Sequence, residues 1–313
     1  PALDLMPLDE KGTYVLEISS YQLERVPSIK LDIAILLNIS ADHLERHGGM
    51  DGYIAAKQIL FERIHENSII IVGMDDTHCR GICMELMLNR GCTNIVPISA
   101  SARIPGGIYV ENGMLIDDLK NTRNFIMDLH SISTLPGEHN WQNAAAAYAA
   151  ASSIGVDSDI IIKSFNNFGG LAHRQELIQN INGILFVNDS KATNTSAAAK
   201  ALDCYHGIHW ILGGQFKEDN LGSLHAVLKR VAHAYLIGHD TARLSNLLDT
   251  VVPVSQCGDL ETAVHEAYRN AKLTNSNIVL LSPACASFDQ FKNFETRGDA
   301  FVSIVNNLGN FQL

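Results

Sequence analysis

The feature that most constrains the fold is a series of short apolar runs that alternate with helical segments. In the second half of the chain the apolar runs are residues 209–212, 235–237, 251–255 and 278–281. Helices are predicted between them, at about residues 195–202, 221–231, 241–248 and 260–273. Strands that alternate with helices build parallel sheets through crossover connections. The sequence therefore predicts an α/β protein whose second half is a small Rossmann-like sheet.

The first half of the chain opens with the same signal. Residues 31–37 (LDIAILL) form an apolar run typical of a strand buried in a parallel sheet. Residues 14–18 (YVLEI) predict another strand, in which the Glu17 carboxylate would be buried and would need a partner. We therefore predict a second α/β sheet in the first half.

Length and composition limit the class of protein. The chain has 313 residues, enough for two domains, and we place their boundary after the stretch 166–170 (NNFGG), giving domains 1–171 and 172–313. The formal net charge of −11 argues against a nucleic-acid partner, and no apolar stretch approaches the length of a transmembrane helix. The six cysteines are scattered and no signal peptide is visible. We expect a monomeric cytoplasmic protein with reduced thiols and no membrane insertion.

Polar residues follow the strand 31–37 where the chain leaves the sheet. Ligands of α/β proteins bind at this end of the strands. Asp42 and His43 stand in the exit loop, and Lys57 follows in a short alanine-rich helix start. Solvated charges on a loop are the simpler interpretation. The alternative is a divalent-metal pair of Glu17 and His43, for which donor chemistry alone slightly favours zinc or manganese, because magnesium prefers oxygen ligands.

Three further motifs follow predicted strands in the second half. Residues 188–194 (NDSKATN) carry candidate helix caps, and their side chains can also face a nucleotide or a second substrate. Residues 213–217 (GGQFK) form a glycine turn with a lysine, for which an exposed turn is the simpler interpretation. Residues 282–295 (SPACASFDQFKNFE) enter the last helix, whose free N–H groups favour an anion such as a carboxylate.

These motifs resemble the Mur ligase family, and within it the branch that adds D-glutamate. The resemblance rests on LEISSYQLE (16–24), NISADHLERH (38–47), YIAAK (53–57), LPGEHNWQNAAAA (135–147), NDSKATN and SPACASFDQF. It implies a central ATPase-type domain, truncated at its N-terminus, followed by a smaller Rossmann-like C-terminal domain that binds an amino acid. It also implies an ATP-dependent amide ligase of peptidoglycan precursor synthesis. Such a ligase joins D-glutamate to UDP-N-acetylmuramoyl-L-alanine through an acyl phosphate.

The resemblance also implies roles for particular residues. Catalytic roles are implied for Lys57, His43 and Lys191. Mg²⁺, as two ions in the complete enzyme, would be held by Glu17, His43 and a carbamylated Lys57. ATP would contact Asn140, Asn143, Arg174 and Asp189. The two other substrates would contact Ser19, Gln22, Thr193, Lys217, Ser287 and Phe294.

Two features depart from the family pattern. An ATP-dependent ligase needs a phosphate-cradling loop such as G-x-x-x-x-G-K-[ST]. Residues 1–313 contain none, so we expect this chain alone to be inactive. Gln215 stands where family members commonly carry Asp, which changes one charge near Lys217. The alternatives are a folylpolyglutamate synthase-like ligase, which NDSKATN and SPACASFDQF disfavour, and a non-catalytic remnant that binds an amino acid.

Overall fold

The computed structural model describes residues 5–9, 11–40, 44–89, 92, 94–248, 250–274 and 276–310. The chain forms two compact units, each made of segments that are not contiguous in sequence. The first unit comprises Pro1–Glu111, Ile116–Phe125 and Gln142–Val156, and the second comprises Asn112–Leu115, Ile126–Trp141 and Asp157–Leu313. The domain boundary predicted after residue 171 remains a prediction.

The first six strands form one sheet, in the order in which they occur along the chain. They are β1 (Leu31–Leu36), β2 (Ile64–Gly73), β3 (Ile95–Ser99), β4 (Ile108–Glu111), β5 (Met114–Asp117) and β6 (Asn124–Asp128). The helices up to residue 153 are α1 (Ser20–Arg25), α2 (Leu44–His47), α3 (Met50–Gln58), α4 (Thr77–Asn89) and α5 (Glu138–Ser153), with 3₁₀ turns at Ile59–Glu62 and Leu129–Ser131. Strands β1 to β4 pair in parallel, and β1 confirms the strand predicted at 31–37.

One face of β1 and β2 is buried against α4. Side chains alternate across a sheet, so Leu36 of β1 and Val72 of β2 point to the same side as their i−2 neighbours. They form a hydrophobic cluster with the free thiols of Cys79 and Cys83 from α4. This packing fixes where β1 and β2 end, and therefore where the polar residues that follow them stand.

The strand predicted at residues 14–18 is wrong. These residues adopt no regular secondary structure, and Glu17 is exposed instead of buried in a sheet. A strand is stable only where a neighbouring strand completes its backbone hydrogen bonds, and an apolar pattern cannot supply that neighbour. Regular structure begins at α1, where Ser19 and Gln22 form a reciprocal capping box. The side chains of these two predicted substrate contacts are therefore engaged in capping.

The remaining six strands form a second sheet with the order β11-β10-β9-β12-β8-β7. They are β7 (Glu176–Ile181), β8 (Ile184–Asn188), β9 (Ile208–Gly213), β10 (Val231–Ile237), β11 (Val254–Gly258) and β12 (Ile278–Leu281). The helices are α6 (Ser158–Asn166), α7 (Thr195–Asp203), α8 (Thr241–Leu248), α9 (Leu260–Thr274) and α10 (Phe294–Asn310). β7 and β8 form an antiparallel hairpin and the other neighbours pair in parallel, which confirms the predicted α/β fold class.

Two local predictions in this half are wrong. Residues 221–231 form 3₁₀ turns at Gly222–Ala226 and Leu228–Arg230 instead of a helix. Gly222 has a φ of +48°, in the left-handed region that an α-helix cannot include. The strand predicted to begin at residue 251 begins at Val254.

Helices cover both faces of the second sheet. On β9, Trp210 packs in the cluster that includes α7 and α8, and Ile211 packs in the cluster that includes α9 and α10. A parallel sheet buried on both faces leaves the carboxyl ends of its strands as the place for polar groups. In the part of the chain that the structure describes, no helix combines the length and apolarity needed to span a bilayer.

Candidate functional site

The best-defined candidate site lies at the carboxyl edge of the second sheet. Strand β12 lies between β8 and β9, and the three strands are parallel. The loops that follow them are therefore adjacent. Asp189 N donates to Leu281 O at 2.7 Å, and Gly213 N donates to Pro283 O at 3.0 Å. The three motifs that the sequence singled out in this half thus meet at one edge.

The loop after β9 is joined to the loop after β12. Gln215 and Ala286 exchange backbone hydrogen bonds of 2.9 and 3.1 Å. Gly214 has a φ of +127°, and a Cβ there would lie 2.2 Å from Ala286 O, so only glycine fits. This bridge places an exposed Lys217 and a buried Ser287 on adjacent loops. The Gln215 side chain is exposed, so glutamine in place of aspartate leaves the bridge intact.

Two other predicted site residues contact each other. Lys191 is exposed, and its Nζ lies 4.0 Å from the centroid of the Phe294 ring, a cation–π contact. Phe294 begins α10, and its carbonyl oxygen accepts a hydrogen bond of 2.8 Å from Ser190 Oγ. Thr193 is half-buried in the same loop as Lys191. The loop after β8 and the start of α10 thus form one surface with an exposed ammonium group.

Arg297 holds these loops together, and the sequence analysis missed it. The residue is 1% exposed. Its guanidinium donates to Ser190 Oγ and O at 3.0 and 2.9 Å. It also donates to Cys285 O at 3.1 Å and to Gly213 O at 3.4 Å. Burial lowers the pKa of Arg297 to about 10, which leaves the side chain a cation at neutral pH.

A signal for Arg297 exists in the sequence. Arg297, Phe301 and Val305 recur at helical spacing along α10, and the latter two are core residues. A charged side chain on the core-facing stripe of a helix is buried and needs hydrogen-bond partners. The spacing could therefore have singled out Arg297, although not the groups it binds.

Asp189, the predicted ribose contact, is buried. Its Oδ2 accepts a hydrogen bond of 2.8 Å from Ser282 Oγ, and its Oδ1 accepts one of 3.2 Å from Gln175 N. Burial raises the pKa of Asp189 to about 7, against the lowering effects of these hydrogen bonds and of Arg174. Arg174 itself is exposed. The structure therefore brings two predicted nucleotide contacts, Arg174 and Asp189, into electrostatic range of each other.

The two predicted adenine contacts lie in the first turns of α5. Asn140 is half-buried, and its side-chain amide donates to Pro136 O at 2.7 Å. Asn143 is exposed. Their contact with adenine remains a prediction.

The first unit has its own polar cluster, centred on Asp75 at the exit of β2. Asp75 accepts hydrogen bonds from the side chains of Ser99 and Ser101, the latter at 2.7 Å. The backbone N of Ala100 and the Nε2 of Gln142 donate to it at 2.9 and 2.7 Å. Burial acts to raise the pKa of Asp75, but the hydrogen bonds from Ser99, Ala100 and Ser101 outweigh it and the pKa is lowered. Asp75 is therefore ionised at neutral pH.

Gln142 extends this cluster to the exit of β1. Its Oε1 accepts a hydrogen bond of 3.1 Å from Asn38 Nδ2. The sequence analysis assigned no role to Asp75 or Gln142. Asp75 follows β2 in the way that Asp189 follows β8, and that position was the missed signal.

The described residues do not assemble the predicted magnesium site. Glu17 is exposed, and Lys57 is half-buried with its Nζ 5.4 Å from the centroid of the Tyr53 ring. His43 lies outside the described residues. Within the described ranges, no group of three or more His, Cys, Asp or Glu residues could hold a metal ion. An ammonium group is not a metal ligand, so Lys57 without a carbamate does not fit a Mg²⁺ site.

Comparison with known proteins identifies the family of both halves. The sequence model of the Mur ligase middle domain matches residues 2–151, and that of the Mur ligase glutamate ligase domain matches residues 173–285. A UDP-N-acetylmuramoylalanine–D-glutamate ligase of Rhodospirillum rubrum is 49% identical over 98% of this chain and 65% of that protein. A protein of the same name from Paramagnetospirillum magneticum is 48% identical over 97% of this chain and 66% of that protein. The chain thus spans about two thirds of the length of these relatives.

A solved structure with the same fold is a ligase of Acinetobacter baumannii. It is the UDP-N-acetylmuramoylalanyl-D-glutamyl-2,6-diaminopimelate–D-alanyl-D-alanyl ligase, which matches with a TM-score of 0.59 over 92% of this chain and 60% of that one. The two sequences are 20% identical, so the match shows a shared fold.

Proposed function

The chain belongs to the Mur ligase family, and from this premise we propose that it supplies the ATP-binding and amino-acid-binding parts of a D-glutamate ligase. The proposed parts are residues 1–171 and 172–313. The reaction forms an amide between D-glutamate and the free carboxyl group of UDP-N-acetylmuramoyl-L-alanine, in peptidoglycan precursor synthesis. Its support from sequence is the 49% identity to a relative of that name, over 98% of this chain.

The observation that carries the proposal is the meeting of Lys191, Lys217 and Ser287 at one sheet edge that the buried Arg297 organises. Two ammonium groups suit the two carboxylates of glutamate, and the buried Ser287 hydroxyl can donate to one of them. The half-buried Thr193 adds a second hydroxyl to the proposed subsite.

The proposed reaction has three steps. ATP transfers its γ-phosphoryl group to the free carboxylate of UDP-N-acetylmuramoyl-L-alanine, which becomes an acyl phosphate, and ADP leaves. The neutral amine of D-glutamate then attacks the acyl carbon and gives up a proton, and the tetrahedral intermediate expels phosphate. Positioned cations stabilise the transferring phosphoryl group, and among the residues of this chain we assign this task to Arg174.

The other proposed contacts follow from the same assignment. The adenine would be bound by Asn140 and Asn143, and the ribose by Asp189. Ser19, Gln22 and Phe294 complete the proposed substrate contacts. Phe294 can serve through its backbone, because its side chain already contacts Lys191.

The proposed Mg²⁺ ligands are Glu17, His43 and a carbamate on Lys57. The carbamate forms when the neutral lysine amine adds to CO₂ and loses a proton, which converts a cation into an oxygen ligand. In a protein extended to the length of its relatives, Lys57→Ala should abolish activity and short carboxylates in the buffer should partly restore it. Normal turnover of Lys57→Ala without added carboxylate would rule out the carbamate.

One observation favours a second candidate function. Residues 1–313 contain no G-x-x-x-x-G-K-[ST] stretch. In this second candidate function, residues 1–313 alone would bind an amino acid without turning it over. Measuring phosphate release from ATP with both substrates separates the two candidates, because we expect release only from the extended protein. Robust turnover by residues 1–313 alone would contradict the proposed inactivity.

A titration followed by NMR tests the amino-acid site directly. D-Glutamate should shift the signals of Lys191, Thr193, Lys217 and Ser287, and L-glutamate should shift them much less. Equal responses to the two enantiomers, or no response near Lys217, would remove the D-glutamate assignment.

A further inference from the structure

The short segment from His173 to Gln175 has an unusual backbone. His173 has a φ of +62° and Gln175 a φ of +46°, so two non-glycine residues lie in the left-handed region within three positions. L-residues adopt this conformation at a cost in free energy, and it persists only where surrounding contacts enforce it. The residue between them is the exposed Arg174. The segment therefore presents one arginine on a constrained backbone.

His173 is held from three directions. Its N donates to Glu176 Oε2 at 2.9 Å, and its O accepts from Lys191 N at 3.1 Å. Its buried imidazole accepts at Nδ1 from Asn188 Nδ2 at 3.0 Å, which leaves the proton of the neutral ring on Nε2. That nitrogen faces Asp299 Oδ1 at 3.6 Å.

Gln175 is held on the other side of Arg174. Its N donates to Asp189 Oδ1 at 3.2 Å. Its side-chain Nε2 lies 3.0 Å from His139 Nε2. Burial lowers the pKa of His139 to about 4, so the ring is neutral near pH 7 and can accept this hydrogen bond. Both neighbours of Arg174 are thus fixed to the body of the second unit.

Gly298 makes room for the imidazole of His173. A Cβ at Gly298 would lie 2.1 Å from His173 Nδ1, far inside van der Waals contact. Gly298 lies within α10, where an alanine would otherwise favour the helix. Asn188 Nδ2 lies 3.4 Å from Gly298 O, so the glycine, the imidazole and the amide form one packed group. Glycine at this position is explained by the close approach of a side chain and not by a backbone φ.

We propose that His173, Asn188 and Gly298 are positioning residues that aim the Arg174 guanidinium at the phosphates of the bound nucleotide. The inference rests on the proposed function, from which it takes the phosphate contact of Arg174. Loosening His173 lets its backbone relax from the left-handed conformation, and Arg174 then samples many directions. Ordering it again on binding weakens the affinity for nucleotide.

The test is a double-mutant cycle on ADP binding, measured by titration calorimetry with the 313-residue chain. Gly298→Ala should weaken ADP binding about tenfold, since displacing a positioning group by an ångström has effects of this order or larger. Arg174→Ala should weaken it at least as much. The double variant should bind no more weakly than Arg174→Ala alone, because Gly298 acts through Arg174. A merely structural effect of Gly298→Ala would persist in the Arg174→Ala background.

Gly81→Ala is the matched control. Gly81 is an exposed helical glycine in α4, and a Cβ there meets no atom within 4 Å. This variant should bind ADP as the wild type does. Wild-type affinity in Gly298→Ala, or losses that add in the double variant, would overturn the inference. A wild-type chain that binds no ADP at all would instead count against the nucleotide part of the proposed function.

A second pair of variants covers the case in which Gly298→Ala does not fold. The variant with both His173→Ala and Gly298→Ala lacks the imidazole that the new Cβ would strike. It should fold with the near-ultraviolet circular dichroism of the wild type and bind ADP as His173→Ala does alone. A double variant that fails to fold would overturn the assigned contact between Gly298 and His173.

Discussion

Both units join the exits of neighbouring strands through one charged side chain, but the two charges are opposite. In the second unit the buried Arg297 donates to oxygens of Ser190, Cys285 and Gly213. In the first unit the half-buried Asp75 accepts from hydroxyl and N–H groups, including Ser99. A guanidinium has only donors and an ionised carboxylate only acceptors. Arg297 therefore fixes loops that turn carbonyl and hydroxyl oxygens towards it, and Asp75 fixes loops that turn N–H and O–H donors towards it.

The two units also differ in which predicted site residues lie together among the described residues. The hydrogen bonds of Arg297 go to neutral oxygens, and the Asp289 carboxylate lies within electrostatic range of its buried charge. Lys191 and Lys217 lie on the loops of the same sheet edge. In the first unit, by contrast, the predicted ligands Glu17 and Lys57 are not gathered into a metal site among the described residues. The second unit is thus the part of the described chain that brings several predicted contacts of one substrate to a single sheet edge.

The largest expected effect is that of Arg297→Met. Its removal leaves several buried carbonyl and hydroxyl groups without partners, each worth about 1–3 kcal/mol, so the free energy of unfolding should fall by about 4 kcal/mol. Trp210 is buried in the core of the second unit, so urea unfolding followed by tryptophan fluorescence in a Trp141→Phe background reports on this unit. Arg297→Lys is the control and should lose less, because it keeps the charge and some donors. If Arg297→Met lowered the free energy of unfolding by less than about 1 kcal/mol, Arg297 would not be the residue that holds these loops together.

The second prediction concerns the opposite charge. Asp75→Ala leaves the donors of Ser99, Ser101 and Gln142 without their acceptor, which should cost about 3 kcal/mol. The loss should appear in far-ultraviolet circular dichroism and leave the tryptophan transition in place, provided that the units unfold separately. Asp32→Ala is the matched control, because the Asp32 side chain is 95% exposed in its ion pair with His65 and should contribute less than about 1 kcal/mol. If Asp75→Ala and Asp32→Ala lowered the free energy of unfolding equally, Asp75 would not be the residue that organises the strand exits of the first unit.

The stability of the second unit should depend on pH through two buried groups, Asp189 and His209, whose contributions have opposite signs. The pKa of Asp189 is raised from 3.8 to about 7 by burial, so the folded state holds its proton more tightly and stability falls as pH rises through this range. The pKa of His209 is lowered from 6.5 to about 4 by burial and by His233, so stability is lost as pH falls through that range. The two contributions oppose each other where their ranges overlap.

Replacing either group should reveal the pH dependence of stability that the other group contributes. Between about pH 4.5 and 6.5, Asp189→Asn should lose about 2 kcal/mol as pH falls, and His209→Gln should lose a similar amount as pH rises. The wild type should change less than either variant over this range. Urea unfolding at several pH values, followed by tryptophan fluorescence, measures all three slopes. Parallel slopes in the wild type and both variants would show that neither group titrates as described.

The smallest expected effect lies at the contact between Lys191 and Phe294. An exposed cation–π contact is worth about 0.5–1 kcal/mol, so Phe294→Leu should weaken D-glutamate binding by about two- to fivefold. Phe294→Tyr keeps the aromatic face and should bind nearly as the wild type does. Calorimetric titration with D-glutamate measures the difference. If leucine and tyrosine weakened binding equally, the aromatic face would have no part in holding Lys191.

The predictable part of the molecule is the part that local patterns encode. Apolar runs predicted β9 and β12 as strands of one parallel sheet, and the polar residues after each run were therefore expected at its carboxyl edge. The same reasoning went wrong at residues 14–18, because an apolar pattern describes the side chains of a strand and not the neighbour it must pair with. Glu17 is exposed for that reason.

The sequence by itself thus determined the α/β class, most strands of the second sheet and the motifs that stand at the strand exits. Only the tertiary structure decided which residues organise those exits. Arg297 binds Ser190 across 107 positions, and Asp75 binds Gln142 across 67. Periodicity reports on neighbours within a few residues, whereas a buried charge is stable only where distant backbone and side-chain groups complete its hydrogen bonds. Those partners exist only once the sheets have formed.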